Sequence, residues 1–351
     1  QAPDLPNEFP PLKDPGTPSP LPTPPTAFVG RDADVERLRR VLAEHRLITL
    51  VGPPGVGKSR LAAELANRSL AGFADGLVRV DLTSLGDDIA DLLSKALGVS
   101  SRRDRTALES VIEWLRGREL LLVLDQCDGS TVEAGSLAGA VLAAAPSVTV
   151  VATCRSALSI PGEIVHHVDP LAHDDALALV AGRLADAAEV GSTDDLATLV
   201  DELDNLPLAL EVAAASTSTY TWSEMLEVLR GPVHARIESP MRPVAAAIAL
   251  GFDHLDDSLR EMLTGATVFA GAFDRDAFAA VCAPGVSPGA AAAGLADLVE
   301  RSLVVAGSGA QPNRFRVLHA VRDVVEVRGS ARTRTEAEDR LAEWVARFVD
   351  E

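Results

Sequence analysis

One short segment constrains this chain more than any other: a glycine-rich loop between an apolar run and a helical pattern. Residues 51–60 read VGPPGVGKSR and directly follow the run LITL, so Gly52 to Ser59 match the pattern G-x-x-x-x-G-K-S. In this pattern the glycines let backbone N–H groups turn inward around phosphate oxygens, at the N-terminus of a helix. The loop predicts a nucleotide-binding fold. It does not separate proteins that consume ATP from switches that only hold it.

The loop residues have predicted roles at the phosphates and the metal. Lys58 supplies a positive charge to the β and γ phosphates, and Ser59 supplies a hydroxyl to Mg²⁺. The alternative, a tight Gly/Pro turn without a ligand, leaves Lys58 and Ser59 unexplained. We therefore predict ATP or ADP with Mg²⁺ as cofactors, bound by these residues: Gly52, Pro54, Gly55, Val56, Gly57, Lys58, Ser59 and Arg60.

The region around the loop has the pattern of a parallel α/β sheet. Short apolar runs recur between helical patterns, and their continuous rather than alternating apolar character is typical of strands buried on both faces. Strands that alternate with helices predict a P-loop NTPase fold with a parallel sheet. The predicted strands are residues 47–51, 77–82, 119–125, 148–153 and 163–168.

Beyond about residue 170 the strands stop and amphipathic helices follow, which predicts a small helical domain. Further helices then lead to two apolar runs separated by a Gly/Pro/Asn turn, the order expected of a winged helix. The first 26 residues hold many of the 22 prolines and predict a semi-rigid linker to something in front. The predicted units are a linker (1–26), a P-loop nucleotide-binding domain (27–169), a small helical domain (170–235), a winged-helix domain (236–330) and the start of a C-terminal helical segment (331–351).

A carboxylate for the metal is expected at the end of a neighbouring buried strand. The run ELLLVLD places Asp125 there, with a helix N-cap as the alternative role. ATP-consuming machines often have a second acidic residue next, whereas this chain has Gln126, which cannot take a proton from water. Asp128 is near, but its direction is open. The sequence therefore favours slow hydrolysis or none.

A further strand, VTVVATCR, ends with Thr153 and Arg155. Polar residues at the carboxyl end of a sheet strand face the ligand crevice. Arg155 is predicted to contact a γ-phosphate through its planar guanidinium group, and an ion pair with a surface carboxylate is the alternative.

Composition narrows the classes of partner. The formal charge of −19 and the 4% aromatic content disfavour binding of nucleic acid by this segment. Three isolated cysteines indicate reduced thiols in the cytoplasm. No apolar run of membrane-spanning length is present, which predicts no membrane contact. Because the chain begins with Gln1, we expect a fragment or a trimmed product.

Several segments together resemble a known family. FVGRDADVERL, GPPGVGKS, LLLVLDQCD, VVATCRSAL and LDNLPLALEVAAA occur in the order of signal-transducing (STAND-class) ATPases with an NB-ARC-type core, followed by LADLVERSLVV and RFRVLHAVR. The chain is most similar to the ATPase core of bacterial transcriptional regulators of the SARP/AfsR-like and large LuxR-like groups. The resemblance covers roughly residues 27–330.

The resemblance implies an ATPase core, a helical domain and a winged helix that close over ADP and gate an attached effector. It implies that Val29 and Arg31 lie beside the nucleotide and that Pro207 packs near its adenine or ribose. It also implies that Asp125 faces the metal and that Arg155 senses the phosphate. The implied partners are the nucleotide, an effector domain outside this chain that binds DNA, and other copies on activation.

Three departures from the family pattern matter. Asn205 replaces the usual glycine of Gly-Leu-Pro-Leu, and asparagine tolerates a left-handed backbone. Gln126 stands where Asn or Asp is usual. Where many relatives have Met-His-Asp, with a histidine on the ADP β-phosphate, this chain has Val317, Leu318 and His319. His319 is either a phosphate contact displaced by one position or an ordinary histidine.

The favoured function is a nucleotide-dependent switch in a regulator, with weak ATPase turnover. The alternative is a fast ATP-driven remodelling enzyme that works as a ring. A third hypothesis, a DNA-reading winged helix, needs a basic recognition helix, yet AGLADLVERS has one arginine against an aspartate and a glutamate.

Overall fold

The structure is a computed structural model of the 351-residue chain. It describes residues 21, 26–82, 88–99, 105–184, 190–218, 220–230, 242–306 and 313–349. The predicted linker therefore lies outside the described residues except for Leu21 and Thr26. Leu21 is buried and exchanges two hydrogen bonds with the Asn67 side chain, at 2.6 and 2.9 Å, so this residue packs on the folded domain.

The first domain is built on a five-stranded sheet in the order β2-β3-β4-β1-β5, with parallel pairing throughout. This confirms the predicted fold class. The first, third and fourth strands are buried at every residue, which explains their continuously apolar sequences. The strands are β1 (Leu47–Val51), β2 (Leu77–Asp81), β3 (Leu121–Asp125), β4 (Thr149–Cys154) and β5 (Ile164–His167).

Helices connect these strands. Two begin at side-chain caps: Asp88 caps α3, and Thr106 forms a capping box with Glu109 at α4. Because the strands are parallel, the loops that follow them meet at one edge of the sheet, which is where the candidate site lies. The helices are α1 (Asp32–Glu44), α2 (Lys58–Ser69), α3 (Ile89–Leu97), α4 (Ala107–Leu115) and α5 (Thr131–Ala144).

A helical domain follows the sheet, as predicted. Trp222 and Met225 are buried in its core. Its helices are α6 (His173–Ala181), α7 (Thr193–Glu202), α8 (Pro207–Ala215) and α9 (Trp222–Arg230).

One further helix, α10 (Arg242–Asp253), was not predicted. Every residue from Val244 to Phe252 except Gly251 is an apolar buried residue, and α10 packs against α8. A helix that is apolar on all sides lacks the periodicity by which amphipathic helices are detected.

The next elements form the winged-helix domain. Strands β6 and β7 pair antiparallel and form the wing, and Phe273 adds a bridge to Phe315 of β7. Phe273 also stacks on Phe269 and Phe278, with ring centroids 4.6 and 5.8 Å apart. The elements are α11 (Asp257–Ala266), α12 (Arg275–Cys282), α13 (Pro288–Glu300), β6 (Val304–Ala306), β7 (Phe315–Val317) and α14 (His319–Arg328).

The last helix, α15 (Ala331–Val349), had no partner that the sequence identified. It packs against α11 and α12, buries Ala337, and its Arg340 Nε donates to the Val281 carbonyl at 2.7 Å. The helix is thus part of the winged-helix body. Among the described residues, no helix has the length and apolar character needed to span a membrane.

Candidate nucleotide-binding site

The phosphate loop, residues 52–57, runs from the end of β1 to the start of α2. Gly55 and Gly57 have φ angles of 80° and 99°, a left-handed region that disfavours side chains. A Cβ on Gly52 would lie 2.8 Å from the Val168 carbonyl oxygen. No side chain caps α2 at Gly57, so the positive end of the helix faces the loop. Loop and helix together form a cradle suited to an anion.

Two cations hold this loop. Lys58 Nζ donates to the carbonyls of Gly52 and Pro53, at 2.8 and 3.1 Å. Arg31 is buried and donates to the Val56 carbonyl at 2.9 Å and the Asp169 carbonyl at 2.7 Å. Arg31 thereby ties the loop to the segment after β5, while Lys58, the first residue of α2, bonds back to the start of the loop.

The metal-side carboxylate is fully buried. Asp125 accepts hydrogen bonds from Thr153 and Ser59 and pairs with Arg79. Burial by itself would raise the pKa of Asp125, but the Arg79 and Arg316 guanidinium groups and these hydrogen bonds hold that pKa below its ordinary value. The carboxyl group is therefore an anion at neutral pH.

The oxygen donors at this point fit Mg²⁺. The ion prefers oxygen ligands and usually takes only one or two carboxylates from the protein, with phosphates and water completing the shell. Ser59 and Asp125 supply a hydroxyl and a carboxylate side by side. Over the described residues, no cluster of three or more His, Cys, Asp or Glu side chains offers a different kind of metal site.

Arg155 lies at the edge of the site. Its side chain is 61% exposed and pairs with Asp128 at 3.4 Å, and its backbone N–H donates to the same carboxylate oxygen at 2.5 Å. Gln126 has a left-handed backbone (φ 61°), and its N–H donates to the Thr153 hydroxyl at 2.9 Å. The alternative prediction for Arg155, an ion pair with a carboxylate, thus has its partner in Asp128.

A small cavity gathers the other predicted nucleotide contacts. Arg60 donates from α2 to the Thr26 hydroxyl and the Ala27 carbonyl, both at 2.7 Å, and so holds the entry segment over the loop. The cavity joins this segment to the loop and to the helical domain. Its lining residues are Ala27, Phe28, Val29, Arg31, Gly57, Arg60, Leu171, Leu179, Pro207 and Glu211.

Helices α8 and α10 also contact the loop. The Leu208 N–H at the start of α8 donates to the Gly55 carbonyl at 3.2 Å. A Cβ on Gly55 would lie 3.0 Å from the Leu208 Cβ and 3.2 Å from Val244 of α10. Asn205, in the turn before Leu208, has φ 51°, so the departure from glycine retains the left-handed backbone.

The structure therefore places four predicted site residues close to the phosphate loop: Asp125, Val29, Arg31 and Pro207. His319 is the first residue of α14, but its side chain is outside the described part of the structure, and its contact with a nucleotide stays a prediction.

Sequence reasoning missed three charged residues at the metal side. Arg79, Asp81 and Arg316 surround Asp125, and Arg316 of the wing pairs with Asp81 at 2.5 Å. Asp81 ends β2 as Asp125 ends β3, but Arg79 interrupts the apolar run before it and Leu82 follows it, which weakens the signal. Arg316 has no comparable local signal.

Two family models match the chain. Residues 41–137 match an AAA domain, and residues 255–325 match a winged helix-turn-helix domain. The first match covers the phosphate loop and Asp125, and the second covers α11 to α14 except its end.

Curated relatives extend over most of the chain. An uncharacterized protein of Mycobacterium tuberculosis is 31% identical over 313 residues, covering 85% of this chain and 80% of that protein. A "Putative HTH-type transcriptional regulator" of the same species is 32% identical over 302 residues, and regulatory protein AfsR of Streptomyces coelicolor is 28% identical over 266. These alignments cover 81% and 68% of this chain, but only 34% and 26% of the two regulators.

A solved structure shares the fold. It is the signal transduction ATPase with numerous domains (STAND) protein with a tetratricopeptide repeat sensor from Pyrococcus horikoshii. The TM-score is 0.64 at 14% identity, over 96% of this chain and 47% of that one.

Proposed function

The chain belongs to the family of P-loop ATPases with a winged helix-turn-helix domain that includes the AfsR-like regulators, and we propose that it works as a nucleotide-dependent switch. In this proposal the chain binds ADP or ATP, and its conformation with each nucleotide controls an attached effector that acts in transcription. Hydrolysis is slow and resets the switch.

One observation carries the proposal: elements from beyond the nucleotide domain rest on the phosphate loop itself. The Gly55 carbonyl accepts from Leu208 of α8, and Val244 of α10 lies against the same glycine. A change in what the loop binds therefore acts directly on the packing of α8 and α10. A nucleotide that favours one arrangement shifts the population of arrangements by its difference in affinity.

The proposed ligand contacts follow from the site. The loop N–H groups and Lys58 would bind the phosphates, and Ser59 and Asp125 would hold Mg²⁺, which would neutralise part of the phosphate charge. Val29, Arg31 and Pro207 line the cavity beside Gly57 and would contact the base or ribose. Arg155 would leave Asp128 to contact a γ-phosphate.

Slow hydrolysis is supported by the groups next to the metal side. Gln126 cannot accept a proton from water at neutral pH. Asp128, the nearest carboxylate after it, already accepts from the Arg155 N–H and pairs with the Arg155 side chain. The alternative function, a fast ATP-driven remodelling ring, requires an activating base that neither residue provides in this arrangement.

The partners follow from the relatives. The chain spans about a third of the HTH-type regulator and about a quarter of AfsR, so we propose that a DNA-binding effector lies outside it and that activation involves self-association. Helix α13, the third helix of the winged-helix domain, has no lysine or arginine, and Arg301 just after it is tied to Asp297 at 2.8 Å. This charge pattern supports a winged helix that packs on the switch rather than one that reads DNA. Three free cysteines are consistent with the cytoplasm that we propose as its location.

The test is to denature the purified chain, identify any released nucleotide by chromatography, and measure phosphate release from added ATP. We expect ADP at close to one equivalent and turnover far below one per second. An empty protein that hydrolyses ATP rapidly would support the remodelling enzyme instead.

A further inference from the structure

Four charged side chains meet at the carboxyl edge of β2 and β3. Asp81 and Asp125 are paired in register at the ends of these strands. Arg79, two residues before Asp81 on β2, pairs with Asp125, while Arg316 pairs with Asp81 at 2.5 Å. Two carboxylates and two guanidinium groups leave the cluster with no net formal charge.

The two arginines come from different domains. Arg79 belongs to β2 and is fixed with the sheet, whereas Arg316 lies 235 residues after Asp81, on strand β7 of the wing. The Arg316 side chain is 20% exposed and that of Asp81 34%, so their attraction is less screened than that of a surface pair. Arg316 therefore connects the wing to the side of the nucleotide domain where the metal is expected.

We propose that Arg316 acts as an interdomain cation that competes with Mg²⁺ for the Asp81–Asp125 pair, so that binding of a magnesium nucleotide releases the wing. The inference rests on the proposed switch function and names the contact through which the metal side of the site acts on the winged helix.

The competition follows from the burial of Asp125. A buried carboxylate requires compensating positive charge. Arg79 pairs with Asp125 directly, and Arg316 brings a second cation to the same edge through its pair with Asp81. Mg²⁺ beside Ser59 would bring two positive charges to the same carboxylate and would repel both arginines. The backbone of Arg79 is fixed in β2, so its side chain stays near Asp125, whereas Arg316 can leave with its domain. By linkage, the docked wing must weaken Mg²⁺ binding by the same factor.

Among the described contacts, the wing of this chain reaches the acidic edge of the nucleotide domain through Arg316.

The test places one fluorophore on each domain. Val132 on α5 and Val327 on α14 are 77% and 85% exposed, and cysteines there accept labels while the native Cys127, Cys154 and Cys282 are buried. In the labelled full chain, Arg316→Gln is compared with Arg314→Gln, a matched arginine of the same hairpin that pairs with Asp274 at 3.7 Å. Without nucleotide, we expect Arg316→Gln to change the energy transfer and Arg314→Gln to leave it unchanged.

A second readout titrates Mg²⁺ at saturating fluorescent ADP. We expect Arg316→Gln to lower the midpoint of the Mg²⁺ titration by about tenfold, a typical coupling between sites. Asp81→Asn removes the same ion pair from the other side, and it should change the energy transfer as Arg316→Gln does. An Arg316→Gln variant that matches Arg314→Gln in both readouts would overturn the inference.

ADP binding in EDTA separates the two proposals. Binding of ADP without Mg²⁺ is expected to depend on the loop and not on Arg316. If wild type and Arg316→Gln bind ADP equally in EDTA and also have the same Mg²⁺ midpoint, only the competition is rejected. A wild-type chain that binds no nucleotide would reject the switch function, and the competition with it.

Discussion

The phosphate loop and the turn that faces it both use a left-handed backbone, but they use different residues. The loop has glycine at φ 80° and 99° (Gly55 and Gly57), whereas the turn before α8 has Asp204 and Asn205, both at φ 51°. A Cβ on Gly55 would lie 3.0 Å from the Leu208 Cβ, while Asp204 is exposed. Aspartate and asparagine thus serve where the turn has room, and glycine is required where another segment or a ligand comes close.

Gln126 is a third site with a left-handed backbone. Its backbone is left-handed at φ 61°, directly after the buried Asp125, and its N–H is held by the Thr153 hydroxyl. At this position the type of side chain matters for hydrolysis, because it lies next to the metal-side carboxylate, and not for the turn of the backbone. The comparison predicts different consequences when the loop, this residue or the turn is changed.

The largest effect is expected from removing the charge of the loop while keeping its glycines. Lys58→Ala should weaken ADP binding by about a thousandfold, or about 4 kcal/mol, because Lys58 is the one lysine or arginine among residues 52–59 and the nearby Arg31 and Arg60 are engaged with backbone carbonyls. Titration calorimetry with ADP and Mg²⁺ measures the change.

The matched control is Lys95→Ala, an exposed lysine on α3. It should bind ADP as wild type does. If Lys58→Ala retains wild-type affinity with an unchanged circular dichroism spectrum, the glycine-shaped backbone alone binds the phosphates, and the role assigned to Lys58 is wrong.

The next effect tests the close approach at Gly55. Gly55→Ala forces a side chain into a left-handed backbone, which costs about 1–2 kcal/mol, and crowds Leu208 and Val244, which costs about 1 kcal/mol more. Urea unfolding of the nucleotide-free chain measures the loss. Gly98→Ala is the control, because Gly98 has φ 65° and nothing lies within 4 Å of its Cβ position. Equal losses in the two variants would mean that contact with α8 and α10 adds nothing.

A smaller effect is expected at Gln126. Gln126→Glu places a carboxylate beside the metal side, where it can take a proton from water, and should raise ATP turnover by about tenfold. Phosphate release under saturating ATP measures this change. Gln126→Ala should remain as slow as wild type, and a Glu variant no faster than the Ala variant would indicate that this side chain does not face the attacking water.

The parts predicted from sequence are those that depend on local pattern. Strands β1, β3 and β4 followed from continuous apolar runs, and the loop from its glycines and Lys58. The helix α10 was missed because it is apolar on all sides. The helix α15 was predicted, but its packing on α11 and α12 was not, because an amphipathic pattern does not identify a partner.

The charged cluster shows why the rest was not predicted. Asp81 ends β2 as Asp125 ends β3, but β2 is only partly buried, so its signal is weaker than that of Asp125. The pairing of Arg316 with Asp81 joins two domains across 235 residues, and nothing in the local sequence determines how those domains dock. Contacts within one motif are encoded locally, whereas contacts between domains depend on the packing of both.

The smallest effect returns to the turn before α8 and has the opposite sign. Asn205→Gly should stabilise the chain by about 1 kcal/mol, because glycine removes the cost of the left-handed backbone and a buried side-chain oxygen that has no hydrogen-bond partner. The midpoint of urea unfolding measures the gain.

Asp204→Gly separates the two contributions. Asp204 has the same φ of 51° but is exposed, so its replacement removes the backbone cost alone. If both variants gain equally, the buried oxygen of Asn205 contributes nothing. If Asn205→Gly is instead destabilising, the asparagine side chain supports the contact between Leu208 and Gly55, and this turn then depends on its side chain as much as the loop depends on having none.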